Sequence, residues 1–148
     1  GYRLILFDFD NTLEDWGAST VSREKKLLLS RIERLGMSVV LVSNGKKGRL
    51  GKIDDELATI KVLSRARKPL TFKAKKVLKD LEIPPYQTIV VGDQLFTDII
   101  MGNLLGAYTI KTEPLSEREF FWTRLVRRVE RMLLKNMKKH PSVEAMDR

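Results

Sequence analysis

Leu4-Ile5-Leu6-Phe7-Asp8-Phe9-Asp10-Asn11-Thr12 begins with four apolar residues that run straight into two carboxylates spaced two apart. An apolar run of that length reads as a strand buried on both faces. Its polar end then lies where open α/β sheets bind ligands, outside the carboxyl ends of the strands. If Asp8 and Asp10 both project into such a site, a cation must offset their repulsion. Oxygen ligands without His or Cys suit hard Mg2+ better than zinc. Taken alone, the same two acids fit a solvated strand-to-helix turn equally well.

Two more runs of this kind follow. Ser38-Val39-Val40-Leu41-Val42 ends at Ser43-Asn44-Gly45, and Thr88-Ile89-Val90-Val91 closes at Gly92-Asp93. Between them, Leu27, Leu28, Ile32 and Leu35 have helical spacing over 21–35, with Gly36 as the stop. A polar helix is expected from the end of the second strand to about residue 59. Phe72, Val77, Leu78 and Leu81 mark a helix over 71–82, which Pro84-Pro85 breaks. A helix over 97–105 and a short strand over 107–111 complete the series. This alternation predicts an α/β fold, Rossmann-like, with a mostly parallel central sheet flanked by helices and joined by right-handed crossovers. The expected division is a core over 1–114, a basic amphipathic helix over 115–139 and a tail over 140–148.

The 148 residues suit one domain, and 43% hydrophobic content supports a core. With no cysteine, disulfides, thiolate metal sites and cysteine nucleophiles are excluded. The net charge is +9, and residues 117–139 hold eight Lys/Arg against three Glu. Such an excess favours anionic partners: phosphorylated substrates, anionic lipid or nucleic acid. Arg124, Arg127, Arg128, Arg131, Lys135 and Lys138 fall on one face of a helical wheel, opposite Phe121, Trp122, Leu125, Val129 and Leu133. A helix of this kind over 121–138 either lies on an anionic membrane surface or packs its apolar face on the sheet. No apolar run approaches the roughly 20 residues that cross a bilayer, and no secretory signal is visible. The expected location is cytoplasmic, with peripheral membrane contact. The chain starts at Gly1-Tyr2 without methionine, so the natural N-terminus is expected upstream.

The motifs combine into a resemblance. Residues 8–12 fit D-x-D-x-T, Ser43 ends the second strand, Lys68 precedes Pro69, and Gly92-Asp93-Gln94-Leu95-Phe96-Thr97-Asp98 fits an acidic pair after a strand. In that order they resemble the haloacid dehalogenase (HAD) superfamily of phosphotransferases. More closely, Asp8 to Trp16, Ala66-Arg67-Lys68-Pro69 and Gly102-Asn103 look like the YqeG group, subfamily IIIA, related to phosphatidylglycerophosphatases of mitochondria, fungi and plastids.

The resemblance implies a Mg2+-dependent phosphatase. Asp8 is then the nucleophile that forms an aspartyl phosphate, and Asp10 the acid and base. Ser43 and Lys68 would hold the phosphoryl group, with Asn11, Thr12 and Asn44 as further phosphate-binding candidates. Asp8, Asp93 and Asp10, the last through its backbone carbonyl, would hold the metal. Asp98 would complete that set or hold Lys68. The intervals from Asp10 to Ser43 and from Ser43 to Lys68 leave little room beyond one crossover helix each, which implies an open site without a cap. An open site suits a bulky phosphorylated partner such as a phospholipid headgroup, and phosphatidylglycerophosphate at a membrane surface is the expected substrate. Two other readings compete: a phosphatase of a soluble metabolite, nucleotide or phosphoprotein, and a basic RNA- or ribosome-binding module. No aromatic-interleaved recognition motif supports the latter. Gly45 to Lys52 imitates a phosphate-binding loop, but the spacing is one residue too long and Ile53 replaces the required Ser/Thr. It reads as the polar start of a helix.

Overall fold

The computed structural model describes residues 1–116. Five strands, β1 (Leu4–Asp8), β2 (Ser38–Val42), β3 (Lys61–Leu63), β4 (Thr88–Gly92) and β5 (Tyr108–Lys111), form one sheet in the order β3-β2-β1-β4-β5. Every pairing is parallel. Parallel neighbours need crossovers, and helices supply them. These are α1 (Arg23–Arg34), α2 (Lys47–Leu57), α3 (Phe72–Asp80) and α4 (Ile100–Leu105).

The first strand in sequence is the central one in space. Leu4 to Asp8 pair with Ser38 to Val42 on one edge, and Leu4 to Phe7 pair with Thr88 to Val91 on the other. Side chains alternate across a sheet, so β1 feeds two cores. Leu4 and Leu6 join Val40, Val42 and Val90 under Ala74, Val77 and Leu78 of α3 and Met101 and Leu105 of α4. On the other face, Val39 and Leu41 pack with Leu29 of α1 and with Leu50 and Ile53 of α2. The result is a three-layer α/β/α sandwich, the Rossmann-like arrangement expected. Each fully buried aliphatic side chain contributes about 1.5–3 kcal/mol, so these two layers dominate over any surface ion pair.

Local details differ from the sequence reading. Helix α1 stops where expected: Gly36 has φ 80° and its N–H reaches Glu33 O at 2.9 Å. The face it buries was misjudged. Leu29 is 1% exposed, whereas Leu27, Leu28 and Leu35 stand out, Leu35 at 78%. The buried line runs through Val21, Leu29 and half-buried Ile32, and the other leucines fall off it. In α3, Phe72 and Leu81 are likewise exposed while Ala74, Val77 and Leu78 are buried. Strand β3 has no counterpart among the expected elements.

The two intervals that would carry a cap hold one helix each, with β3 added to the second. The expected helix over 115–139, including the basic face of 121–138, and the tail over 140–148 lie outside the described residues, apart from Leu115 and Ser116. Those two dock on the loop after β1: Leu115 N–H donates to Asn11 O at 3.0 Å, and Ser116 N–H to Asn11 Oδ1 at 2.8 Å.

Candidate active site

The strand order reverses beside β1, where the chain leaves β1–β2–β3 and crosses to β4–β5. At such a switch point the loops part and leave a crevice at the carboxyl ends. Asp8 ends β1, Ser43 follows β2, Lys68 follows β3, and Asp93 follows β4.

Lys68 is the hub. Its ammonium pairs with Asp8 Oδ1, with Asp98 Oδ1 at 2.6 Å and with Val42 O at 3.4 Å. All three charged groups are buried. The backbone that carries Lys68 is tied to the end of β2: Ala66 N–H donates to Ser43 O at 2.9 Å, and Lys68 N–H to Asn44 Oδ1 at 2.8 Å. Asn44 Nδ2 returns a bond to Lys68 O at 3.2 Å. Asn44 therefore spends its amide on holding the lysine loop.

Asp98 arrives through one π-helical turn, Leu95–Ile99, in which Ile99 N–H reaches back to Gln94 O at 3.3 Å. Its Oδ2 accepts Gln94 N–H at 3.1 Å. This approach depends on Gly92, because a Cβ there would overlap the Cβ and Cγ of Asp98. A glycine at the end of β4 thus admits the carboxylate that holds Lys68.

Thr12, expected at the phosphate, sits buried between carboxylates. Its hydroxyl lies 2.7 Å from Asp8 Oδ2 and 3.1 Å from Asp93 Oδ1. Asn11 adopts φ 65°, a left-handed conformation that Asn tolerates. Its side chain donates to Ser116 O at 3.0 Å. Asp10 stands at the mouth, part-exposed. Its Oδ2 accepts Ser43 Oγ–H at 2.7 Å and Arg49 Nη2–H at 2.8 Å, while Oδ1 accepts Gly17 N–H at 3.2 Å. Arg49 was missed by sequence reasoning. It lies in the stretch that imitates a phosphate loop, and the only signal was a cation one turn into a helix that starts beside Ser43.

The electrostatics follow from burial. Burial pushes the Asp8 carboxyl well above the usual carboxylate range; Lys68 pulls it back, and Asp98 and Asp93 push it up again. Burial would lower the Lys68 ammonium, yet the charges of Asp8 and Asp98 raise it above the ordinary lysine value, so it stays cationic. At Asp10 burial also acts upward, but the bonds from Arg49, Ser43 and Gly17 outweigh it and the carboxyl is lowered.

Asp8, Asp93 and Asp98 each offer a carboxylate oxygen within 4.8 Å of the others. A buried set of three carboxylates that offers only oxygen donors fits a hard divalent cation such as Mg2+. A cation bound there would favour the anionic form of Asp8.

The family model for mitochondrial PGP phosphatase matches residues 1–115. A Bacillus subtilis protein, "Probable phosphatase YqeG", is 31% identical over 140 residues, covering 95% of this chain and 81% of its own. Phosphatidylglycerophosphate phosphatase 1, chloroplastic/mitochondrial, of Arabidopsis thaliana is 33% identical over 144 residues, 91% of this chain. The chain spans 41% of that plant protein's length. In fold, it resembles a HAD-family enzyme of Bacteroides thetaiotaomicron solved with magnesium and inorganic phosphate. The TM-score is 0.61 at 15% identity, covering 84% of this chain and 99% of that one.

Proposed function

The chain belongs to the mitochondrial PGP phosphatase family of HAD phosphatases, and from that premise we propose that it hydrolyses phosphatidylglycerophosphate at a membrane surface through an aspartyl phosphate on Asp8. The observation that carries this reading is the buried cluster of Asp8, Lys68, Asp93 and Asp98, with part-exposed Asp10 at its mouth held by buried Ser43.

In this reading Asp8 attacks phosphorus in line. The Asp8–phosphorus bond forms as the bond to the leaving oxygen breaks. Asp10 gives that oxygen a proton and then takes one from the water that releases phosphate. Lys68 is held cationic by Asp8 and Asp98, so it brings positive charge to the phosphoryl oxygens without a proton step. Ser43 Oγ–H donates to Asp10 Oδ2 at 2.7 Å and so helps to hold the acid–base carboxyl in place. Asp8, Asp93 and the Asp10 carbonyl, with Asp98 completing the set, would hold Mg2+, which would supply positive charge against the phosphoryl group and the carboxylates.

The lipid substrate is supported by the plant relative's name, by intervals with room for no cap, and by the cationic composition of residues 117–139. Among the described residues no helix is long and apolar enough to cross a membrane. The test is phosphate release from phosphatidylglycerophosphate in mixed micelles with Mg2+, native protein against Asp8→Asn. The native protein is expected to release phosphate and the variant to lose activity by several orders of magnitude. Equal rates end the nucleophile assignment. Hydrolysis of soluble monoesters with the lipid untouched ends the lipid assignment.

A further inference from the structure

Arg49 comes from the first turn of α2 and is gripped on three sides. Nη2 donates to Asp10 Oδ2 at 2.8 Å, and Nη1 donates to Ala18 O at 2.6 Å. The guanidinium carbon lies 5.8 Å from the centroid of the Phe9 ring, which is fully buried and so fixed. Gly45 leaves the space this needs: a Cβ there would lie 2.6 Å from Arg49 Nη2 and 3.0 Å from Ser43 Oγ. Among the described residues, Arg49 is the only cation paired with Asp10.

The geometry at Asp10 is asymmetric. Both strong donors, Arg49 Nη2–H and Ser43 Oγ–H, converge on Oδ2, and among the described residues Oδ1 meets only the Gly17 N–H at 3.2 Å. A neutral carboxyl has one carbonyl oxygen, which accepts, and one hydroxyl, which carries the proton. An oxygen that accepts two directed donors is the carbonyl one. The proton of the acid form then has one place to sit, on Oδ1.

We propose that Arg49 is a positioning residue for the reaction: by anchoring Asp10 through Oδ2, it assigns Oδ1 as the oxygen that exchanges protons with the leaving group and the water. The inference rests on the acid–base reading of Asp10 given above. In the first step the pair of the breaking P–O bond goes to the leaving oxygen, which takes the Oδ1 proton and departs as an alcohol. In the second, water attacks phosphorus, its proton goes to Oδ1, and the Asp8–phosphorus pair returns to Asp8 as carboxylate. Asp10 ends as it began. Lysine cannot replace Arg49 fully, because one compact ammonium does not span Asp10 and the Ala18 carbonyl as a planar fork does.

The test uses leaving groups. An alkyl monoester, phosphatidylglycerophosphate in mixed micelles, needs a proton on its leaving oxygen, whereas p-nitrophenyl phosphate releases a stable phenolate without one. The readout is the ratio of kcat/KM for the two substrates in the native protein, Arg49→Gln, Arg49→Lys, Asp10→Asn and the Asp10→Asn/Arg49→Gln double variant. The alkyl-to-aryl ratio is expected to fall by about tenfold or more in Arg49→Gln and by less in Arg49→Lys. In the Asp10→Asn background, Arg49→Gln is expected to change that ratio by less than about twofold. An equal loss on both substrates makes Arg49 merely structural and overturns the proposal, as does a full further fall in the double variant. If Asp10→Asn itself leaves the ratio unchanged, the acid–base reading fails; if it moves the ratio and Arg49→Gln does not, only the role of Arg49 fails. Should Arg49→Gln not fold, Arg49→Lys carries the same comparison.

Discussion

Replacing Lys68 with Met keeps the aliphatic length and removes the ammonium between Asp8 and Asp98. At the 2.6 Å separation from Asp98, an effective dielectric near 20 gives an attraction of roughly 6 kcal/mol before desolvation. Most of that is offset by taking both charges out of water, so the intact pair is worth far less. Removing one partner is different: it strands a buried charge, at a cost of about 3–5 kcal/mol. Total stabilities of about 5–15 kcal/mol leave the Lys68→Met variant folded but weakened.

The pH dependence identifies the cause. Folded Lys68 is raised above the unfolded lysine value, so its contribution is fully present below about pH 10 and is lost only as pH climbs through the folded value. In the Met variant that contribution is gone, and Asp8, already raised, rises further. The folded variant then binds more protons than the unfolded chain, and its stability increases as pH falls. Urea unfolding at about pH 8 and about pH 5, without divalent metal, measures both effects. The expected deficit against the native protein is about 3–5 kcal/mol at the higher pH and clearly smaller at the lower. A deficit below about 1 kcal/mol at unchanged m-value, or one that grows on acidification, refutes the argument that Lys68 compensates buried carboxylates.

Gly92→Ala should displace Asp98 from Lys68, because the new Cβ overlaps that side chain; a destabilisation of about 1–3 kcal/mol and a large fall in phosphatase activity are expected, checked by thermal unfolding and turnover together. Mg2+ at a hundred times its dissociation constant should add about 2.7 kcal/mol to unfolding in the native protein, and Asp93→Asn should abolish the increment; an equal increment in both places the ion elsewhere. The Lys26–Glu56 pair links α1 to α2 at the surface, so Glu56→Gln should cost no more than about 0.5 kcal/mol in urea unfolding, and a loss several times larger would mean that the pair is not acting as a screened surface contact.

The three inner strands were legible because parallel strands covered on both faces are written as unbroken apolar runs, as in Leu4 to Phe7 and Val39 to Val42. Lys61–Leu63 carries no such mark: it is a three-residue edge strand that starts on an exposed lysine. The face of α1 was misread because its leucines are denser than the sheet can cover, and only packing selects Leu29. At the site, residue types and order announced Asp8, Lys68, Asp93 and Asp98. Their pairing was not readable, since nothing local to Arg67-Lys68-Pro69 says that the lysine is buried against an acid sixty residues away. The amides of Asn11 and Asn44 looked free for a ligand. Instead Asn11 binds a segment 105 residues distant and Asn44 binds the lysine loop, long-range choices that spacing does not encode.

The placement of β1 has a consequence during synthesis. It emerges before the rest of the sheet, yet one of its edges waits for residues 88–92, since Leu4 pairs with Thr88. At about 5–20 residues per second, the ribosome needs roughly 4–17 s to supply that partner. For those seconds an apolar strand ending in Asp8 has an unpaired side, open to other nascent chains. The strand that holds the site at the centre of the finished sheet is therefore the one most dependent on chaperone cover while the sheet is being made.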